Sequence, residues 1–167
     1  TVGKMFGMPF AMKGGIGTAS VTLDGVTVGA LIACNALGDV VDPDTGALIA
    51  GARTADGTGL RDTRRALLRG EPPLPILAGT NTTIGVIATD APLSRTSLRH
   101  LARRAGVGIG RGGTPGGNSS GDIFLAFSTA NPGPMPQEAG LLVNRVELNN
   151  EVLDPIYLAA VEAVEEA

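Results

Sequence analysis

Apolar residues fall along this chain in short runs of two kinds. Ile16 to Leu23 and Val26 to Cys34 are rich in β-branched residues, and Asp24-Gly25 between them is a strong two-residue hairpin signal. The second run, Val-Thr-Val-Gly-Ala-Leu-Ile-Ala-Cys, is apolar on both faces, which predicts a central strand ending at Asn35. Residues 83–89 and Ile123 to Ser128 read as two further buried strands, and Val143 to Leu148 as an extended segment. A helical period begins after Ser94, a suitable N-cap, and puts Leu98, Leu101, Ala102 and Ala105 on one face. Arg95, Arg99, Arg103 and Arg104 lie largely off that face, and a solvated surface is a simpler reading of them than an anion site. That helix is predicted to end near Ala105. Asp154-Pro155 starts a last helix, with Asp as cap and Pro following.

Between these runs the chain is mostly connection. Residues 1–15 predict a loop passing close to other backbone. Residues 38–80 read as linking chain, with a turn at Asp42 to Gly46 and a short basic helix over Arg61 to Arg69. Pro72, Pro73 and Pro75 keep the next segment extended. Asp42-Pro43-Asp44 begins like a calcium loop, but the later ligands and closing Glu are missing. Gly106, Gly108 and Gly110 form a Gly-x-Gly-x-Gly run that follows a helix rather than a strand, so it fails the dinucleotide context.

Composition narrows the chemistry. The 167 residues suit one domain with a real core, and with 3% aromatic residues and no Trp that core is aliphatic. A net charge of −3 argues against non-specific nucleic-acid binding. One Cys and one His exclude an internal disulfide, a Cys-cluster metal site and a His-based zinc site, and they disfavour a His-dependent triad. No apolar run reaches the roughly 20 residues that a membrane-crossing helix needs. Neither cofactor nor metal is expected. The chain opens on Thr1 without an initiator Met and ends at Ala167 inside a helical pattern, so both ends are expected to be cuts through a larger protein.

What remains is a set of polar residues beside apolar elements. Residues 76–92 run from a Gly-Thr-Asn-Thr-Thr turn straight into a strand, which sets the Thr82 hydroxyl at a rigid strand mouth. Lys13 precedes the hairpin, Asn35 ends a strand, and Ser120 with Asp122 precedes another strand. Each has an ordinary reading alone: a turn cap, a solvated cation, a tight turn. Together they offer a hydroxyl nucleophile, a base and oxyanion donors, which is what amide hydrolysis without His or metal requires.

These residues carry a family resemblance. Lys13-Gly-Gly-Ile-Gly-Thr-Ala-Ser20, Val28 to Asn35, Asn81 to Pro92 and Ser119 to Thr129 resemble segments of the DmpA-type L-aminopeptidase/D-Ala-esterase/amidase family. That family includes β-peptidyl aminopeptidases and, more distantly, the nylon-oligomer hydrolase. The likeness is weakest over residues 38–75. It implies an α/β fold, the four-layer αββα sandwich, of which this chain would be the central and C-terminal part. It also implies self-cleavage between Asn81 and Thr82, so that 1–81 is the end of an α chain and 82–167 the start of a β chain.

By position, the resemblance makes Thr82 the N-terminal nucleophile and Asn35 an oxyanion donor. Lys13 matches a lysine near the nucleophile, and Ser120 and Asp122 match a pair that orients the reacting groups. Ser-Gly-acid leans toward the aminopeptidase branch, whereas a Thr nucleophile after Asn is shared with the nylon hydrolase. The implied substrate is a short peptide, amide or ester with a free N-terminus. The implied assembly is a homo-oligomer, a tetramer, and the expected compartment is the cytoplasm. An acyltransferase of the ornithine acetyltransferase type and a non-catalytic binding fragment are the competing expectations.

Overall fold

The computed structural model describes residues 1–75, 81–118, 120–135, 137–138 and 140–167. Residues 76–80, part of the stretch where the sequence predicts a polar turn, and Ser119, Pro136 and Ala139 lie outside the described residues.

Strands β1 (Ile16–Leu23) and β2 (Val26–Asn35) form the predicted hairpin. Asp24 and Gly25 both take positive φ, 47° and 80°, so the two-residue turn follows the right-handed twist of its strands. Residues 38–75 hold more structure than the linking chain expected. Two small ladders occur there, β3 (Val40–Val41) with β4 (Leu48–Ala50) and β5 (Ala52–Arg53) with β6 (Leu60–Arg61). Their strands are two or three residues long, too short for a side-chain period to register. Helix α1 (Thr63–Leu68) follows, capped by the Asp62 carboxylate on the Arg65 N–H.

Then come β7 (Thr82–Thr89), α2 (Arg95–Arg111), β8 (Ile123–Ser128) and α3 (Asp154–Glu166). The main sheet has the order β1-β2-β7-β8, so β2 is an inner strand as expected. β7 runs antiparallel to β2 and parallel to β8. A parallel neighbour needs a crossover, and α2 supplies it. Helices α2 and α3 pack together on one face of the sheet. Val28, Ala30 and Ile32 of β2 and Ile87 of β7 meet Leu101 and Ala105 of α2 and Ile156, Ala160 and Val164 of α3 in an aliphatic core. Among the described residues no helix is long and apolar enough to cross a membrane.

Several sequence expectations are corrected here. Helix α2 does not stop near Ala105. It continues through Gly106, Gly108 and Gly110 to Arg111, where Arg111 pairs with Glu162 and Glu165 of α3, each at 2.6 Å. Gly108 is buried at the contact with α3, and a Cβ there would stand 2.8 Å from the Val161 carbonyl oxygen and the Val164 side chain. Packing at that point outweighs the poor helix propensity of glycine, about 1 kcal/mol per residue. Asp154 is the first residue of α3 rather than its cap, and no side chain caps that helix. Residues 143–148 form no regular element, and Val146 is held by the Asn131 side chain through two 3.0 Å bonds.

The strands β7 and β8 were expected to be buried, yet each alternates. Ile84, Ile123, Leu125 and Phe127 face away from the helices and are 52%, 64%, 60% and 44% exposed. The described residues thus build a main sheet with one helix layer on one of its faces.

Candidate active site

The site forms where the inner strands end. In the antiparallel register of β2 and β7, Asn35 pairs with Thr82, Ala33 with Ile84 and Leu31 with Val86. Directly opposed residues share a face. The Thr82 and Asn35 side chains therefore belong to the open face, away from α2 and α3. Thr82 is the first residue of β7 and is half-buried. Its Oγ1 donates to the carbonyl oxygen of Asn81 at 2.5 Å. The hydroxyl lies against the peptide group that a self-cleaving chain would attack.

The turn before β8 closes one side. A single carboxylate oxygen of Asp122, Oδ1, accepts the Thr83 N–H at 2.8 Å and the Ser120 hydroxyl at 2.7 Å. Asp122 thereby ties the backbone next to Thr82 to the Ser120-Gly121-Asp122 turn. The Gly121 N–H donates to the Asn81 carbonyl oxygen at 3.4 Å. Two donors, one hydroxyl and one amide, thus point at that carbonyl.

The segment 1–5 closes the other side. Gly3 has φ 73°, and a Cβ there would stand 2.1 Å from the backbone of Gly51 and Ala52, so only glycine lets the chain pass. Its N–H bonds Gly38 O at 2.9 Å, and the Met5 N–H bonds Leu37 O at 3.1 Å. Clamped between these bonds, Lys4 reaches the end of β2. Its ammonium donates to Asn35 Oδ1 at 2.5 Å and to Asn35 O at 3.1 Å. Thr1 Oγ1 donates to the same amide oxygen at 3.0 Å. With Oδ1 accepting from both Lys4 and Thr1, those two donors fix which end of the amide faces them. Burial pulls the Lys4 ammonium below the ordinary lysine value, opposed by its proximity to Cys34.

Four of the five expected residues gather here: Thr82, Asn35, Ser120 and Asp122. Lys13 does not join them. It lines a shallow depression with Gly14, Ile16, Cys34 and Ala167, and among the described residues no hydrogen bond links it to Thr82 or Asn35. The lysine on Asn35 is Lys4. Nothing local marks it in sequence, since Thr-Val-Gly-Lys has no period and no motif. The signal that finds it is Gly3, whose positive φ brings the next residue under β2. Among the described residues no group of three or more His, Cys, Asp or Glu side chains gathers to hold a metal ion. Cys34 is a free thiol.

The arrangement can hold a hydroxyl against a carbonyl and support negative charge on that carbonyl oxygen, and the chain's relatives carry related architecture. It is similar to L-aminopeptidase D-Ala-esterase/amidase from Ochrobactrum anthropi, a solved structure described as a prototype serine aminopeptidase and a variant of the Ntn hydrolase fold. That match has a TM-score of 0.69 and 40% identity, covering 95% of this chain and 39% of the other. The Burkholderia sp. β-aminopeptidase structure matches with a TM-score of 0.63 and 32% identity over 100% of this chain and 42% of that one. In sequence the chain is 39% identical to a β-peptidyl aminopeptidase of Sphingosinicella microcystinivorans, covering 99% of this chain and 42% of the relative. It is also 37% identical to an uncharacterised aminopeptidase of Mycobacterium leprae, covering 92% of this chain and 46% of that one. The chain thus spans less than half the length of the relatives it matches. The model of peptidase family S58 matches residues 1–167, and with these relatives it establishes that the chain belongs to that family.

Proposed function

We propose that this chain is the catalytic part of a self-processing aminopeptidase, with Thr82 as nucleophile once the Asn81–Thr82 bond is cut. The observation that carries the reading is the Thr82 hydroxyl 2.5 Å from the Asn81 carbonyl oxygen, at the head of a paired strand and directly across from Asn35. In the precursor, the hydroxyl oxygen attacks the Asn81 carbonyl carbon. The C–N bond then breaks, and the hydroxyl proton ends on the departing Thr82 nitrogen. Water hydrolyses the resulting ester, regenerating the hydroxyl and leaving an Asn81 carboxylate.

The freed α-amine has an ordinary pKa of about 8, so near neutral pH a useful fraction is unprotonated and can accept the hydroxyl proton in later turnovers. A cation at Lys4 pulls that value lower and enlarges the competent fraction. The Asn35 amide, aimed by Lys4 and Thr1, supplies an N–H to the developing oxyanion of a bound substrate. Asp122 holds the nucleophile's strand and the Ser120 hydroxyl in register. The substrate class is a short peptide, amino-acid amide or ester with a free N-terminus, and the relatives named as aminopeptidases support it. A homo-oligomer acting in the cytoplasm belongs to the same proposal.

Intact-mass measurement and N-terminal sequencing of the full-length protein test the reading. A chain beginning at Thr82 is expected, and Thr82→Ala is expected to leave one uncut polypeptide. Absence of the Thr82 chain from active wild-type protein would overturn it.

A further inference from the structure

Self-cleavage and later turnover place negative charge on different carbonyls, and the structure separates the groups that serve them. In the uncut chain the Asn81 carbonyl oxygen has two donors among the described residues, the Thr82 hydroxyl at 2.5 Å and the Gly121 N–H at 3.4 Å. Attack consumes the first of them. The hydroxyl must surrender its proton to bond to carbon, so it stops donating when the carbonyl's π pair moves onto oxygen. The Gly121 amide is then the remaining one of those two donors.

Resting on the self-processing reading above, we infer that the Gly121 backbone N–H is the oxyanion donor of the Asn81–Thr82 cleavage step. Its ground-state distance fits that task. An oxyanion donor works at about 2.7–3.1 Å from the position the charged oxygen will occupy. A contact of 3.4 Å is weak before reaction and has room to shorten as the C–O bond lengthens toward the turn. A donor that strengthens only in the transition state accelerates the step, whereas one already tight stabilises the uncut chain as much.

The local structure holds this amide in place. Ser120 N–H bonds Gly117 O at 2.9 Å, and Ser120 Oγ and Thr83 N–H both bond Asp122 Oδ1, so the residues on either side of Gly121 are fixed. Position 121 also lies close to the nucleophile, since a Cβ built there would stand 3.5 Å from Thr82 Oγ1. The electron accounting closes within the chain: one C–O bond forms, one C–N bond breaks, and one proton moves from Thr82 Oγ1 to Thr82 N. No co-reactant is needed before water opens the ester.

The test deletes one N–H and nothing else. Gly121 is replaced by glycolic acid in the full-length protein, which turns the 120–121 amide into an ester. A matched ester at Gly117, in the same turn, is the comparison. Appearance of the Thr82 chain is followed in time by denaturing gel and mass. The expected result is slowing of about 100-fold or more for the ester at 121, the usual cost of losing one oxyanion donor, with the ester at 117 within a few-fold of wild type. Equal slowing by both esters, or wild-type cleavage with the ester at 121, overturns the inference. Failure of the self-processing reading is seen separately, as absence of the Thr82 chain from the wild-type protein.

A second readout does not depend on cleavage. In the uncut Thr82→Ala precursor carrying a 13C label on the Asn81 carbonyl, the ester at 121 is expected to raise the C=O stretching frequency. An unshifted band would mean that the amide does not reach that oxygen.

Discussion

Lys4 and Asn35 are the residues whose roles separate most sharply. On the proposed reading Asn35→Ala would remove an oxyanion donor, and it is expected to lower turnover about 100- to 1000-fold while the thermal midpoint moves little. Unchanged turnover would remove Asn35 from the oxyanion site. Lys4→Met keeps the aliphatic stem but loses the shorter of the two bonds to Asn35 Oδ1, leaving that of Thr1, so the amide is held less firmly. Its fall in kcat is expected to exceed that of Lys13→Met, measured side by side, and the reverse order would restore Lys13 to the site. The site was legible where its residues abut strands. Thr82, Asn35, Ser120 and Asp122 flank apolar runs whose ends can be read. Lys4 was not, because its placement depends on a loop threaded past Gly51 rather than on any period. A residue that is not part of the site gives the clearest pH dependence. Asp56 accepts from Thr54 Oγ1, Thr58 Oγ1 and Thr58 N–H, and these bonds pull its carboxyl from 3.8 down to about 2. A lowered carboxyl pKa contributes stability above the unfolded value and loses it as pH falls through the folded one. The protection factor of the Gly59 N–H, which bonds Thr54 Oγ1 in the same turn, is therefore expected to fall between about pH 4 and 2, once the intrinsic pH dependence of exchange is divided out. In Asp56→Asn that acid step should vanish.

At the scale of elements, α2 shows how packing overrides local preference. Propensity alone ends this helix near Ala105, since three glycines within five residues cost about 1 kcal/mol each. The three are not equivalent. Gly106 and Gly110 face open space, whereas Gly108 meets Val161 and Val164 of α3. Gly106→Ala is expected to stabilise by up to about 1 kcal/mol in chemical unfolding. Gly108→Ala gains the same propensity but must displace backbone and a β-branched side chain, an overpacking cost of about 1–3 kcal/mol, so a lower midpoint is expected. Matching shifts at the two positions would mean that α2 and α3 do not approach so closely. The same contrast explains what the sequence revealed. β1, β2, β7 and β8 were legible because short β-branched or apolar runs and an Asp-Gly turn act locally, although the alternation of β7 and β8 was not read. The end of α2 was hidden because its partner, α3, lies some 50 positions later. The short ladders at 40–61 were hidden because strands of two or three residues carry no period.

For the whole molecule, the decisive feature is the face of the sheet opposite the helices. Leu31, Ile84, Ile123, Leu125 and Phe127 lie side by side on it, each at least 44% exposed, and the Thr82–Asn35 pair sits at its edge. An apolar surface of this extent is rarely left to water. The αββα sandwich that the resemblance implies would supply an occupant, a second sheet, and the relatives are more than twice as long as this chain. Sheets stacked face to face sit about 10 Å apart, so a covering sheet would also wall Thr82, the proposed nucleophile, and help exclude water from it. Leu125 lies mid-strand on β8, away from the site residues, which makes it the fair test. In the full-length protein Leu125→Asp would bury an unpaired carboxylate between the sheets, a cost expected to exceed about 2 kcal/mol in chemical unfolding. Lys4, Asn35 and Asp122 are untouched by that change, so protein that still folds should retain the cleavage proposed at Asn81–Thr82. An unchanged midpoint would mean that this face meets solvent in the full-length protein, and the two-sheet expectation would fall with it.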